Sequence, residues 1–170
     1  MDWTLGKRVL EIGIGTGLCI PLYPAEVELT GIDVCEPMLE KARHRAGRRG
    51  FNRVDLSVMD AEKMKFAQNA FDHTVAMYIA SVTPDPVAMV REMRRVTRPG
   101  GCLYILNHFS RQNTAAFALE KLISPLASVI GFEPLFPLDE FQSRTGLQDA
   151  EDIPIRPFGY WRLLRVQNKK

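Results

Sequence analysis

Between Arg8 and Phe109 the chain alternates short apolar runs with stretches of helical periodicity, and that alternation constrains its fold more than any other feature. "RVLEIG" reads as a buried strand, and "GLCIPLY" starts a helix that Pro21 and Pro24 keep short. Val27 to Val34 reads as a second strand. "EPMLEKARHRAG" then carries Met38, Leu39 and Ala42 at helical spacing, with Gly47 and Gly50 as stop signals. Arg53 to Asp60, Asp72 to Ala80 and Cys102 to Phe109 are predicted as the third, fourth and fifth strands. "DPVAMVREMRRV" is a helix with Pro86 in its first turn, and "RPGG" is a turn. Strands alternating with helices of this length form βαβ units, whose right-handed crossovers put helices on both faces of a mostly parallel sheet. The tail differs: "DIPIRPFGYWRLLRV" gives two strand-like runs joined at Pro157-Phe158-Gly159, a hairpin instead of a crossover. At 170 residues the chain fits one domain with a genuine core.

Charge narrows the partners. Net charge is only +2, so no global field argues for nucleic acid. Basic residues cluster in "KARHRAGRR" and "REMRR", read as solvated helix faces, with an anionic membrane surface as the sharper alternative. No window holds about 18 uninterrupted apolar residues, the length a spanning helix needs. The longest apolar stretch, Leu122 to Phe132, is broken by Pro125. Cys19, Cys35 and Cys102 are odd in number and far apart, which argues against a disulfide framework or a zinc site and fits a reducing cytoplasm.

Ligands of an open parallel sheet bind outside the carboxyl ends of its strands. Gly13, Gly15 and Gly17 fall in the loop after the first strand, the prime position. The dinucleotide fingerprint G-x-G-x-x-G would need a glycine where Leu18 stands, which disfavours a dehydrogenase. Instead Glu11 precedes the first glycine. Asp33 ends the second strand, where a carboxylate can accept both hydroxyls of a ribose. Met38 follows, able to lie on an adenine face. Asp60 and Ala61 end the third strand, with an acceptor for an exocyclic amino group. Each acid alone could be a helix cap; three acids at the ends of three successive strands, with the glycine loop, point to a nucleoside ligand.

"VLEIGIGTG", "LTGIDVCEPML", "MDAEKMKF", "FDHTVAM" and "EMRRVTRPGGCLYIL" resemble, in order and spacing, the motifs of class I S-adenosylmethionine-dependent methyltransferases from Arg8 to about Val166. The resemblance implies an α/β, Rossmann-like, doubly wound, mostly parallel seven-stranded sheet with a C-terminal antiparallel hairpin. It implies S-adenosyl-L-methionine as cofactor. Glu11 and Gly13 then lie at its methionine end, Gly15 and Gly17 let its backbone pass, Asp33 holds the ribose, and Asp60 and Ala61 address the adenine. Met77 takes the cofactor-facing end of the fourth strand, where some amino-group methyltransferases carry Asn beside Pro-Pro; that departure argues against planar-amide substrates. The family also has a helical segment ahead of the first strand. Only seven residues precede Arg8, so one domain over residues 1–170, short of that segment, is expected.

"ASVTPDP" and "NHF" further resemble the bacterial phosphatidylethanolamine N-methyltransferases. This implies a phospholipid substrate and a cytoplasmic enzyme held peripherally on an anionic membrane. A quinone-precursor methyltransferase, or a cofactor-binding domain without turnover, are the alternative readings. A protonated amine has no lone pair, so His108 is the candidate base, directly or through water. Asn107 is expected to orient the amine. Tyr78 is expected to meet the head group with its hydroxyl, or to offer a ring face to the cationic methylated products. Arg111 is the candidate partner for the lipid phosphate. The apolar segment Ala115 to Leu138 is read as an acceptor-site wall or a bilayer-facing helix pair.

Overall fold

The first strand, β1 (Arg8–Ile12), is buried on both faces after Arg8, as a central parallel strand must be. A computed structural model describes residues 7–48, 51, 53–110, 136–155 and 161–169. Around β1 run β2 (Glu28–Asp33), β3 (Val54–Val58), β4 (Phe71–Met77), β5 (Thr97–His108), β6 (Glu151–Ile155) and β7 (Trp161–Gln167). They form one seven-stranded sheet in the order β3-β2-β1-β4-β5-β7-β6. The first five strands are mutually parallel where they pair, and β7 runs antiparallel to both β5 and β6. The order reverses beside β1, so its carboxyl end opens at the switch point.

Helices α1 (Glu36–Arg48), α2 (Pro86–Val96) and α3 (Leu138–Thr145) complete the described elements. Leu39, Ala42 and Ala46 of α1 recur at helical spacing and are buried. They pack with Val9, Leu29, Val75 and Tyr104 on one face of the sheet. Met89, Val90 and Met93 of α2 and Leu138 and Phe141 of α3 cover the other face, against Leu10, Ile12, Ala76, Leu103 and Leu164. Asp85 caps α2: its side chain accepts the N–H groups of Val87 and Ala88, both at 3.0 Å. At the opposite edge of the sheet Asp72 accepts from Lys7 N, Arg8 N and the Arg8 and Arg98 guanidinium groups, fastening the starts of β1, β4 and β5. Burial pushes this carboxyl up, but the hydrogen bonds from Arg8 and Arg98 outweigh it and hold it at about 2.

Two local expectations change. After the glycine loop only a 3₁₀ turn forms, Ile20–Leu22, because Pro21 and Pro24 leave too few backbone donors for a longer helix. "RPGG" is not a free turn: β5 begins at Thr97 and passes through it, with a register irregularity opposite Phe71 and His73. The two basic clusters lie on helix faces, with Arg43, His44, Arg48 and Arg91 exposed and Arg45, Arg94 and Arg95 part-exposed. Arg94 donates to the Gly146 carbonyl, and Arg95 pairs with Glu92 while donating to the carbonyls of Met64 and Phe66. Arg43 pairs with Glu36, and Arg45 reaches the Thr16 carbonyl of the glycine loop. Among the described residues no helix is long and apolar enough to cross a membrane.

Candidate active site

Large apolar side chains left exposed fall mostly at one edge of the sheet. Leu18 follows β1, Val34 follows β2, Val58 ends β3, Tyr78 and Val82 follow β4, and Trp161 opens β7. Because β7 is antiparallel, its first residue lies at the carboxyl ends of the parallel strands: Trp161 is in register with His108. A rim of exposed apolar groups around convergent polar ones is the usual signature of a ligand site.

The glycine loop is built for close approach. Gly13, Gly15 and Gly17 all have positive φ, at 70, 54 and 71°, a region that side-chain-bearing residues occupy at a cost. A Cβ on Gly17 would stand 2.6 Å from Ile20 Cδ1 and 2.9 Å from Ala42 Cβ, so this glycine seats the loop on α1. Gly15 differs: the nearest atom to a Cβ there is Met38 Sδ, at 3.9 Å. That opening faces a thioether and not the core. Gly15 N–H donates to Asp33 Oδ2 and Cys35 N–H to Asp33 Oδ1, both at 2.9 Å. Asp33 thus fixes the loop and the start of α1 with one lone pair on each oxygen, and the others remain for a ligand. Asp60 Oδ1 accepts Glu62 N–H at 2.8 Å, closing the turn after β3. Ala61 is buried with its methyl in the core, so only its backbone can face a ligand.

Glu11 is 2% exposed. Burial pushes its carboxyl up to about 7, while hydrogen bonds from Tyr23 and Cys19 pull it down. Its Oε2 has no hydrogen-bond partner among the described residues. A buried carboxylate oxygen left open beside a bare glycine loop is suited to a cationic amino group. An α-amino group, a ribose and an adenine are the parts of S-adenosyl-L-methionine, and Glu11, Asp33 and Asp60 with Met38 provide a fitting group for each.

Beyond the loop, the end of β4 forms the far wall. A Cβ on Gly13 would meet Ile79 Cδ1 at 2.8 Å. Met77 is half-buried beside it, and Tyr78 N–H donates to Leu106 O at 2.7 Å, after which the chain turns. Tyr78 is 52% exposed and holds φ at 62°. Its ring meets Trp161 edge to face, with centroids 4.9 Å apart at 87°. Trp161 in turn meets His108 at 5.8 Å and 86°, and His108 lies 6.5 Å from Phe136. His108 is 5% exposed, behind the indole.

The pleat separates Asn107 from this group. Successive strand residues face opposite sides. Asn107 therefore points to the α2–α3 side, where its Oδ1 accepts Ser81 Oγ at 3.5 Å. Ser81 lines a cavity of about 330 Å³ with Pro84, Phe136 and Phe141. The structure thus brings Tyr78 and His108 together through Trp161 and turns Asn107 away from the imidazole. Arg111 and most of the 115–138 segment lie outside the described residues. Trp161 is the residue that the sequence reading missed. Its signal was the hairpin: an antiparallel return carries the residue just after the turn back to the carboxyl edge.

The methyltransferase domain family matches residues 10–105, more than half of the chain. The chain is 39% identical over 165 residues to phosphatidylethanolamine N-methyltransferase of Cereibacter sphaeroides, covering 96% of this chain and 81% of that one. It is 35% identical over 105 residues to demethylmenaquinone methyltransferase of Geobacillus kaustophilus, covering 59% of this chain and 45% of that protein. Among solved structures, a SAM-dependent methyltransferase from Methanosarcina mazei superposes with TM-score 0.72 at 20% identity, over 97% of this chain and 93% of that one. The [4+2]-cyclase SpnF superposes at 0.79 with 21% identity, over 96% of this chain and 75% of that one. YcgJ of Bacillus subtilis gives 0.75 at 24% identity, over 89% of this chain and 65% of that one. These structural likenesses fix the fold, and a cyclase among them shows that the fold does not fix the reaction. With the glycine loop, the acids at three strand ends and a family match spanning β1 to β5, the chain belongs to the methyltransferase domain family, and its cofactor is S-adenosyl-L-methionine.

Proposed function

We propose that the chain methylates the amino group of phosphatidylethanolamine, and of its mono- and dimethyl forms, towards phosphatidylcholine. One observation carries the reading. Likeness to a phosphatidylethanolamine N-methyltransferase runs over 96% of the chain at 39% identity, whereas likeness to the quinone methyltransferases of Geobacillus kaustophilus and Beutenbergia cavernae covers 59% and 76% at 35% and 33%.

The cofactor supplies a methyl group on a cationic sulfur, already activated for transfer. The chain's own task is to bind, align and deprotonate. Glu11 holds the cofactor's amino group, Asp33 its ribose, and Met38, Asp60 and the Ala61 backbone its adenine; Gly13, Gly15 and Gly17 keep side chains out of its path. Met77 and Tyr78 wall the side where the acceptor enters. Alignment of two reactants in one geometry is the larger part of what such a site contributes. The substrate enters as an ammonium and must lose a proton first. His108, in register with Trp161 at this edge, is the group proposed to take that proton, directly or through water. Arg111 is proposed to pair with the lipid phosphate. The protein would then work from the cytoplasmic face of an anionic membrane, held peripherally.

The test is competition. Protein given methyl-labelled cofactor, vesicles containing phosphatidylethanolamine and a demethylated quinone should place label in the lipid fraction. Label in the quinone alone would replace this reading with the quinone one.

A further inference from the structure

We infer that Trp161 and Tyr78 form an aromatic corner that holds methylated ammonium groups, and that Trp161 governs how far successive methylation proceeds. The inference rests on the proposed lipid substrate. Three observations carry it. The two rings stand nearly perpendicular, at 87° with centroids 4.9 Å apart, so their π faces bound a corner. Both rings remain accessible, Tyr78 at 52% and Trp161 at 38%, whereas His108 behind them is buried. Tyr78 also keeps φ at 62°, a conformation that a bulky aromatic residue adopts only when its surroundings impose it. That backbone turn aims the ring across β5 at Trp161. Such strain is common where side-chain direction matters to function.

The chemistry of the ligand follows from the walls. Each methyl added to an amine removes an N–H donor and enlarges the apolar surface over which the positive charge is spread. A site made of carboxylates and carbonyls loses contacts at each step. A site made of indole and phenol faces gains them, because a cation is drawn to the ring quadrupole and methyl groups pack on the ring. The corner therefore suits the di- and trimethylated head groups better than the unmethylated one, and Trp, the strongest cation-binding aromatic, forms one wall. No sequence neighbour of Tyr78 or His108 supplies this wall; it arrives on β7, in register with His108.

The probe is phosphocholine, set against its neutral carbon isostere, 3,3-dimethylbutyl phosphate, with binding read by calorimetry on the cofactor-loaded protein. The unmodified protein should prefer phosphocholine. Trp161→Leu should lose about 2- to 30-fold of that preference, the span a cation–π contact covers, and Trp161→Phe should keep part of it. On phosphatidylethanolamine vesicles, Trp161→Leu should lower the ratio of trimethyl to monomethyl product. Trp161 and Trp3 are the two tryptophans, so in a Trp3→Phe background indole fluorescence reports the corner even where a position-161 variant fails to fold. Phosphocholine should change that emission and the isostere should not. Equal binding of both probes by the unmodified protein, or an unchanged product ratio and probe preference in folded Trp161→Leu, would overturn the inference. Failure of the unmodified protein to methylate any phosphatidylethanolamine would instead overturn the lipid reading.

Discussion

Burial raises the Glu11 carboxyl to about 7, against an ordinary value of 4.5, although Tyr23 and Cys19 hydrogen-bond to it. The fold thus favours the protonated form. Its stabilising contribution is complete below about 4.5 and is lost as pH rises through about 7. Cofactor-free protein should therefore melt at lower temperature at pH 8 than at pH 5, and Glu11→Gln should flatten this part of the profile. The same carboxyl must ionise to pair with an ammonium, so cofactor affinity should climb over the same interval. Asp33 is the second residue to probe. Asp33→Ala should weaken cofactor binding by about 1.5–3 kcal/mol, the usual worth of a hydrogen bond to a charged group. Calorimetry with Asp33→Asn in parallel separates lost charge from a loosened Gly15 loop. His108 is the third. His108→Ala should lower turnover by about 10²–10⁴-fold with partial rescue at higher pH; a fall under about tenfold without rescue would leave positioning as the main contribution. Not all of this was legible in the sequence. The acids and glycines announce themselves by residue type and spacing. That Asp33 already binds two backbone N–H groups, and that Asn107 faces away from His108, depends on atoms and pleat direction.

At the scale of elements, α2 sets the wall that the loop after β4 leans on. Asp85 caps it, Pro86 opens it, and Glu62 accepts both Asp85 N–H and Thr83 Oγ1 to hold the loop. Asp85→Ala should lower stability by about 0.5–2 kcal/mol in denaturant unfolding. Its effect on cofactor affinity should be small, because the Asp85 carboxylate accepts from Val87 and Ala88 of α2 and not from the glycine loop. Apolar periodicity located every strand among the described residues to within a few positions, since a buried parallel strand leaves a continuous apolar run. It failed where prolines and glycines carry the information. Pro21 and Pro24 reduce a helix to one 3₁₀ turn, and Pro99 and Gly100 sit inside β5 because the neighbouring register shifts at Phe71 and His73.

The whole molecule places its chemistry by topology. Five parallel strands and one antiparallel strand deliver Glu11, Asp33, Asp60, Tyr78, His108 and Trp161 to one edge from positions spread over 150 residues of sequence. Pairing of β5 with β7 is the step that no local pattern encodes, and it is why the aromatic corner escaped the sequence reading. The opposite edge carries the Asp72 fastening, so that fastening and the proposed ligand site occupy different ends of the sheet. We propose that the ligand-site edge transfers methyl groups to a phospholipid amine. This activity is tested most directly by expressing the protein in a bacterium that makes phosphatidylethanolamine but no phosphatidylcholine, and reading its lipids by mass spectrometry. Mono-, di- and trimethylated forms of phosphatidylethanolamine should appear, and should fall when Asp33→Ala is expressed instead. An unaltered lipid profile, with the protein present, folded and binding S-adenosyl-L-methionine, would contradict it.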